Sequence, residues 1–356
     1  MNLNNDQGFP QMSETEIKSH KKIFSSLSFY FLAYLVLVQV LAIGASFLLQ
    51  DLLKNVDLEL LDWGPFNFLL KKGNIAIILN SVLQYCIAFP LLCLLVRRVP
   101  KHKPVCEKVS AATVLKYMLV GMLIMYVGNM ISQTLMLRLE SLFGGEIENS
   151  ISTLLTQSDW YISVIFVGII GPIVEELMFR KLFIDRLTPY GNVISILFPS
   201  LIFGLFHGNL YQFFYAFALG VIFSYIYVKT GKIIYSILLH MFINLFCGVL
   251  PSAIMSMMDY NAFLEMAASG SIDYTFLINN IVPFALLMLY ELAMFAMIIA
   301  GLVILIRNIK KIKLERGSVS IPKGRAGEVI FFNAGTVVLI AICLLIIALN
   351  TIPLPQ

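Results

Sequence analysis

Charge is scarce in this chain of 356 residues: Asp, Glu, Lys and Arg make up 13% of it, against 59% hydrophobic residues. Soluble domains carry about a quarter charged residues, so a composition this poor in charge leaves no room for a soluble domain of any size. Metal-ligand and redox spacings of cysteine are also missing. Cys86, Cys93, Cys106, Cys247 and Cys343 form no CxxC pair, and four of them fall in or beside apolar runs, which argues against a disulfide framework or a thiolate metal site. The HExxH signature of soluble zinc proteases is absent. So is the usual signal-peptide pattern: Met1 to Lys22 is polar and the apolar run after it is too long for a cleaved segment, so that run reads as a first spanning helix. No repeat of two related halves broken by Gly and Pro is found, which weighs against a transporter.

What remains is a series of long apolar runs. Only helices or closed barrels satisfy the backbone in lipid, and runs of about 20 residues indicate helices. The fold class is therefore all-α, a polytopic transmembrane bundle. About eight or nine spans are expected, near 24–50, 75–96, 112–137, 158–187, 192–207, 211–229, 232–250, 280–306 and 328–350. Of the 25 basic residues, all but Lys54, Lys71, Lys72 and Arg138 fall on alternate connections, beginning with Lys18, Lys21 and Lys22. The other connections are acidic: Asp51, Asp57, Glu59 and Asp62; Glu140, Glu146, Glu148 and Asp159; Asp259, Glu265 and Asp273. Basic loops stay inside, so the N-terminus is placed in the cytoplasm. The chain divides into a cytoplasmic segment (1–23), N-terminal spanning helices (24–157), a motif-bearing membrane core (158–250) and C-terminal helices (251–356). A bacterial plasma membrane is the expected location, since the composition is rich in Ile, Leu, Asn and Lys.

One stretch is far costlier to place than the others. Gly171 to Arg186 reads GPIVEELMFRKLFIDR and carries two adjacent carboxylates and an arginine into an apolar helix. Each ionisable group there costs at least ~2.5–3.5 kcal/mol on insertion scales, so it pairs, lines a wet cavity or does chemistry. Glu176 and Arg180 are i, i+4 and share a face, whereas Glu175 lies about 100° round the helix. Glu176 is therefore expected to pair with Arg180, leaving Glu175 free. A neutralised cluster at a helix end is the bland alternative.

Two histidines weigh against the bland alternative. His20 and His102 sit in polar segments, but His207 and His240 interrupt apolar helices. The turn Pro189-Tyr190-Gly191-Asn192 should reverse the chain, and Glu175 and His207 lie at equal depth on either side of it, ~22–24 Å along the axis. His240 and Asn244 are i, i+4, so an imidazole and a carboxamide share a face. A carboxylate, two imidazoles and an amide make a hydrolase inventory: Glu175 with His207 can take a proton from water, and His240 with Asn244 can stabilise an oxyanion. The set requires no cofactor. It leaves open a divalent metal such as zinc on Glu175, His207 and His240, with water as the fourth ligand. Four polar groups at that depth must be wetted, and the basic inner loops favour a cavity opening inward or sideways, closed outward by His207-Gly208-Asn209-Leu210. Glu291, a further carboxylate in an apolar run, is expected to snorkel or pair within the bundle.

The three motifs occur in a familiar order: Glu175-Glu176-Leu177-Met178-Phe179-Arg180 (EExxxR), Phe203 to His207 (FxxxH) and His240 to Asn244 (HxxxN). In this the chain resembles the CAAX prenyl endopeptidase and bacteriocin-processing (CPBP, or Abi) intramembrane proteases, over about Val164 to Leu250. The resemblance implies that Glu175 and His207 activate water, that His240 and Asn244 form the oxyanion hole, and that Glu176 and Arg180 support them. It also implies a membrane-associated, lipidated or leader-bearing peptide as substrate, membrane lipid as surroundings, and no nucleic-acid partner. The rival functions are a non-catalytic peptide-binding or bacteriocin-immunity protein and a proton-coupled transporter.

Overall fold

The computed structural model describes residues 12–54, 64–104, 106–270, 273–322 and 324–353. Asp57, Glu59 and Asp62 of the first outer loop lie outside the described residues. Among the described residues there is no β-strand. Seven helices are long and apolar enough to cross a membrane: α1 (Glu14–Leu53), α2 (Lys72–Val96), α3 (Ala111–Phe143), α4 (Trp160–Tyr190), α6 (Leu210–Thr230), α7 (Ile233–Met255) and α8 (Ile281–Asn308). Two shorter apolar helices, α5 (Asn192–Phe206) and α9 (Ala334–Leu349), complete the expected series. At 15 and 16 residues they are about 22–24 Å long, less than the ~30 Å of hydrocarbon. The chain is an integral membrane protein built as a helical bundle.

The ends of several helices are set by caps that apolar runs do not reveal. Helix α1 starts at Glu14, well before its apolar run. Ser13 accepts from Glu16 N–H while Glu16 accepts from Ser13 N–H, a capping box that holds the polar first turns. Gly191, at φ +88°, makes the turn between α4 and α5 where the sequence places it.

Helix α1 buries Phe24, Leu27 and Phe31 completely. Its rings meet Phe198, Phe183 and Phe179 at centroid distances of 5.5, 4.3 and 5.6 Å. Lipid tails are as apolar as these rings, so the cluster is held by close packing rather than by escape from water. Close approach of α1 and α9 depends on a glycine: a Cβ on Gly335 would sit 2.1 Å from the carbonyl oxygen of Ser25. Across that contact Gly335 N–H donates to Ser25 Oγ at 3.0 Å, and the Ser28 and Thr336 hydroxyls are bonded at 2.9 Å.

Helix α6 lies between α5 and α3, and α8 packs on the far side of α3. At the basic end of the bundle, loops are stitched to helix ends by backbone bonds. His102 N–H reaches Asp185 O at 2.6 Å, Glu107 N–H reaches Lys229 O at 3.0 Å, and Asn192 N–H reaches Glu315 O at 3.0 Å. Below that seam the Tyr227 hydroxyl donates to Asp185 at 2.6 Å, and Lys181 closes the set with a 2.8 Å ion pair to the same carboxylate. At the acidic end Asp159 binds Lys71, accepts from Asn74 Nδ2 at 2.8 Å and from the Tyr161 hydroxyl at 2.9 Å, and so ties the start of α2 to the start of α4.

Candidate active site

Helix α4 is not a uniform α-helix. Gly171–Glu176 is α-helical, but the turns before it (Val164–Ile170) and after it (Leu177–Ile184) are π-helical, as is Asn244–Val249 in α7. Wide turns of this kind leave carbonyls free and are frequent at functional sites. Here they bracket the residues singled out by sequence.

The two glutamates separate as their spacing requires. Glu176 is fully buried, with Oε2 3.1 Å from Arg180 Nε, while the Glu175 side chain is 32% exposed and faces a cavity. Arg180 is likewise fully buried, its guanidinium 4.5 Å from the Phe203 ring centroid and 5.2 Å from that of Phe223. Aromatic faces on a desolvated guanidinium supply part of what water would otherwise give it.

Glu176 has a second partner that helical spacing within α4 could not reveal. Its Oε1 lies 2.9 Å from Nδ1 of His240, and His240 Nε2 in turn lies 3.6 Å from Glu175 Oε2. The imidazole is thus fixed at one nitrogen and presents the other to the cavity. It also stacks on Phe223 at 5.0 Å. His207 is held differently. Its Nδ1 donates to the carbonyl of Phe203 at 2.9 Å, one helical turn back, which leaves the Nε2 lone pair free to accept a proton. Asn244 donates one amide N–H to the carbonyl of Val167 at 3.0 Å, across to the π-helical turn of α4, and keeps its second N–H.

Glu175, His207, His240 and Asn244 all line one cavity of about 260 Å³. The hairpin of α4 and α5 brings both Glu175 and His207 to its lining. The nearest ionic neighbour of Glu175, however, is His240. Glu291 does not reach the cavity and lies exposed on α8. Other polar walls went unremarked in the sequence. Asn80, Ser81, Gln84 and Tyr85 come from α2, and Gln212 from the first turn of α6. Their signal was available: a polar set at i, i+1, i+4 and i+5 in an apolar run marks one helix face turned from lipid.

The cavity has a definite position along the helices. Its walls include Ile151 and Leu154 of a short loop helix (Ser150–Thr156) together with Gln212, all on the acidic side of the charge map, and none of the basic loops. The site lies nearer the acidic ends of the helices than the basic ones. The reason lies in the depth itself: ~22–24 Å from the inner turn is already most of the way across a ~30 Å hydrocarbon layer.

Among the described residues no three His, Cys, Asp or Glu side chains stand together in a spacing that would hold a metal ion. One nitrogen of His240 is already committed to Glu176 and one of His207 to a carbonyl.

Comparison with known proteins agrees with the motif order. Residues 157–246 match the family described as Type II CAAX prenyl endopeptidase Rce1-like. YdiL of Bacillus subtilis (strain 168), named as a candidate membrane peptidase, is 32% identical over 108 residues, which is 30% of this chain and 44% of that protein. The membrane-embedded CAAX protease MroQ of Staphylococcus aureus (strain USA300) is 39% identical over 90 residues, 23% of this chain and 36% of that protein. The match spans less than half the length of either relative. No solved structure matches the chain.

Proposed function

We propose that this chain, an integral protein of a bacterial membrane whose residues 157–246 form an Rce1-like CAAX endopeptidase segment, is an intramembrane endopeptidase. The observation that carries the reading is the convergence of Glu175, His207, His240 and Asn244 on one polar cavity between membrane helices. A binding protein needs a cavity, but it has no need of a half-buried carboxylate and an imidazole with a free lone pair lining it together.

In the reaction proposed, a water lying between Glu175 and His207 attacks the carbonyl carbon of the scissile peptide bond. Glu175 takes its proton, assisted by His207 through Nε2, and the proton is passed to the departing amine nitrogen as the C–N bond breaks. Charge that develops on the carbonyl oxygen is met by the free N–H of Asn244 and by the ring of His240, which Glu176 holds at Nδ1. Glu176 and Arg180 act at one remove by fixing the ring. The substrate is a membrane-associated peptide, lipidated or leader-bearing.

The test uses the full chain in lipid vesicles with two fluorogenic probes, a farnesylated C-terminal peptide and an unprenylated hydrophobic leader peptide. Cleavage of at least one by the wild type, reduced by about 10²–10⁴-fold in Glu175→Gln and in His207→Gln with unchanged thermal stability, is the expected result. Equal cleavage by wild type and Glu175→Gln would overturn the reading.

A further inference from the structure

A second cavity lies away from these residues. It holds about 430 Å³ between α3, α5, α6 and α8, and each helix contributes the end that the charge map places at the cytoplasmic face. Its walls are aliphatic, with Val120, Ile196, Val221 and Leu305 among them. Its rim is not. Lys116 at the start of α3 and Lys311 just beyond α8 stand at the rim, and Tyr117 and Tyr225, with ring centroids 5.8 Å apart, add hydroxyl groups.

Charge at this rim is unbalanced. Among the described residues neither lysine is paired with a carboxylate, and no Asp or Glu lines the cavity. The nearby acids Glu107 and Glu315 are both engaged by Lys229, at 3.2 and 3.1 Å. Lys311 donates to Asn308 Oδ1 at 3.3 Å, a neutral acceptor that leaves its charge uncompensated. Two ammonium groups without a carboxylate partner, over an aliphatic slot at the inner membrane surface, match one kind of molecule, which has an anionic head and hydrocarbon tails. A free phosphate would satisfy the lysines and leave the slot empty. A neutral lipid would do the reverse.

We propose that this groove is a binding site for an anionic glycerophospholipid of the inner leaflet, with the phosphate on Lys116 and Lys311 and acyl chain between α5, α6 and α8. The site does not depend on the endopeptidase reading. Loop residues Ile312 and Leu314 line it immediately before Glu315, whose carbonyl accepts from Asn192 N–H at the α4–α5 turn. A bound lipid would therefore brace the hairpin that carries Glu175 and His207.

The experiment compares the wild type, Lys116→Gln/Lys311→Gln and Val221→Trp in mixed micelles. The readouts are binding and thermal stabilisation by phosphatidylglycerol, phosphatidylcholine and inorganic phosphate. Wild type should bind phosphatidylglycerol preferentially and gain several degrees in melting temperature from it. Both lysines are exposed, so the double variant should fold normally yet bind this lipid roughly thirtyfold more weakly, as expected for two cations near a lipid headgroup. Val221→Trp, which fills the slot and keeps the charges, should lose the same preference. Equal response to both lipids, stabilisation by inorganic phosphate alone, or undiminished phosphatidylglycerol binding by the double variant would each overturn the proposal. So would displacement of the lipid by the farnesylated peptide, which would make the groove part of the substrate's path.

Discussion

Nδ1 of His240 stands 2.9 Å from Oε1 of Glu176, so the second glutamate of the pair orients the imidazole as well as neutralising Arg180. A fully buried carboxylate with both oxygens engaged is a structural requirement first. Loss of one partner leaves a buried charge uncompensated, whereas replacing both partners with apolar groups is often nearly neutral.

The first prediction separates those roles. Glu176→Gln should cost about 3–5 kcal/mol of stability, because Arg180 is left without its counter-charge. Glu176→Leu combined with Arg180→Met should recover much of that loss in thermal melts. Activity should stay low in the double variant, since His240 has lost the acceptor that holds its ring. Restored cleavage alongside restored stability would show that Glu176 serves packing and charge alone.

A second prediction concerns metal. If Glu175 and His207 activate water directly, the purified protein should cleave at an unchanged rate after exhaustive chelation and dialysis. The check pairs activity with elemental analysis of the same sample. Loss of activity with loss of stoichiometric zinc, reversed by adding zinc, would place a metal on Glu175, His207 and His240 instead.

A third prediction follows from Asp159, at the acidic end of α4. Burial alone would raise its pKa, but hydrogen bonds from Lys71, Asn74 and Tyr161 outweigh this and hold the carboxyl below the ordinary aspartate range. A group depressed on folding contributes stability that is present above its unfolded pKa, about 4, and is lost as pH falls through the lower folded value. Melting temperature should therefore fall through the acidic range below about pH 4. The fall should be shallower in Asp159→Asn, which cannot titrate there. Identical acid limbs for the two proteins would remove Asp159 from the account.

Much of this was legible in the sequence because membrane burial makes polar residues conspicuous. The apolar helices, the α4–α5 turn and the four cavity groups could be read from runs, turn residues and i, i+4 spacing, since each depends on local geometry. The Glu176–His240 contact could not, because it joins α4 to α7 and no spacing within one helix encodes it. Nor could the π-helical turns of α4 and α7. The early start of α1 was missed for a simpler reason: an apolar window ignores the Ser13 cap, although Ser followed three residues later by Glu is a sign of one.

The last prediction concerns access. Cavity walls from Ser150–Thr156 and from Gln212 put the nearest wet surface on the acidic side of the membrane, the side that the charge map makes external. Gln212 is half-buried at the start of α6, beside the Asn209 cap that fixes this turn. A cysteine there, in a background lacking the five native cysteines, samples the mouth without touching Glu175 or His207. A charged, membrane-impermeant thiol reagent added outside intact cells should label Gln212→Cys and block cleavage, while the cysteine-free parent is unaffected. A cysteine at Ser236, which is fully buried near the basic end of α7, should resist the same reagent. If position 212 is labelled only in inverted vesicles, the cavity faces the cytoplasm, and the inward mouth expected from loop charge is restored.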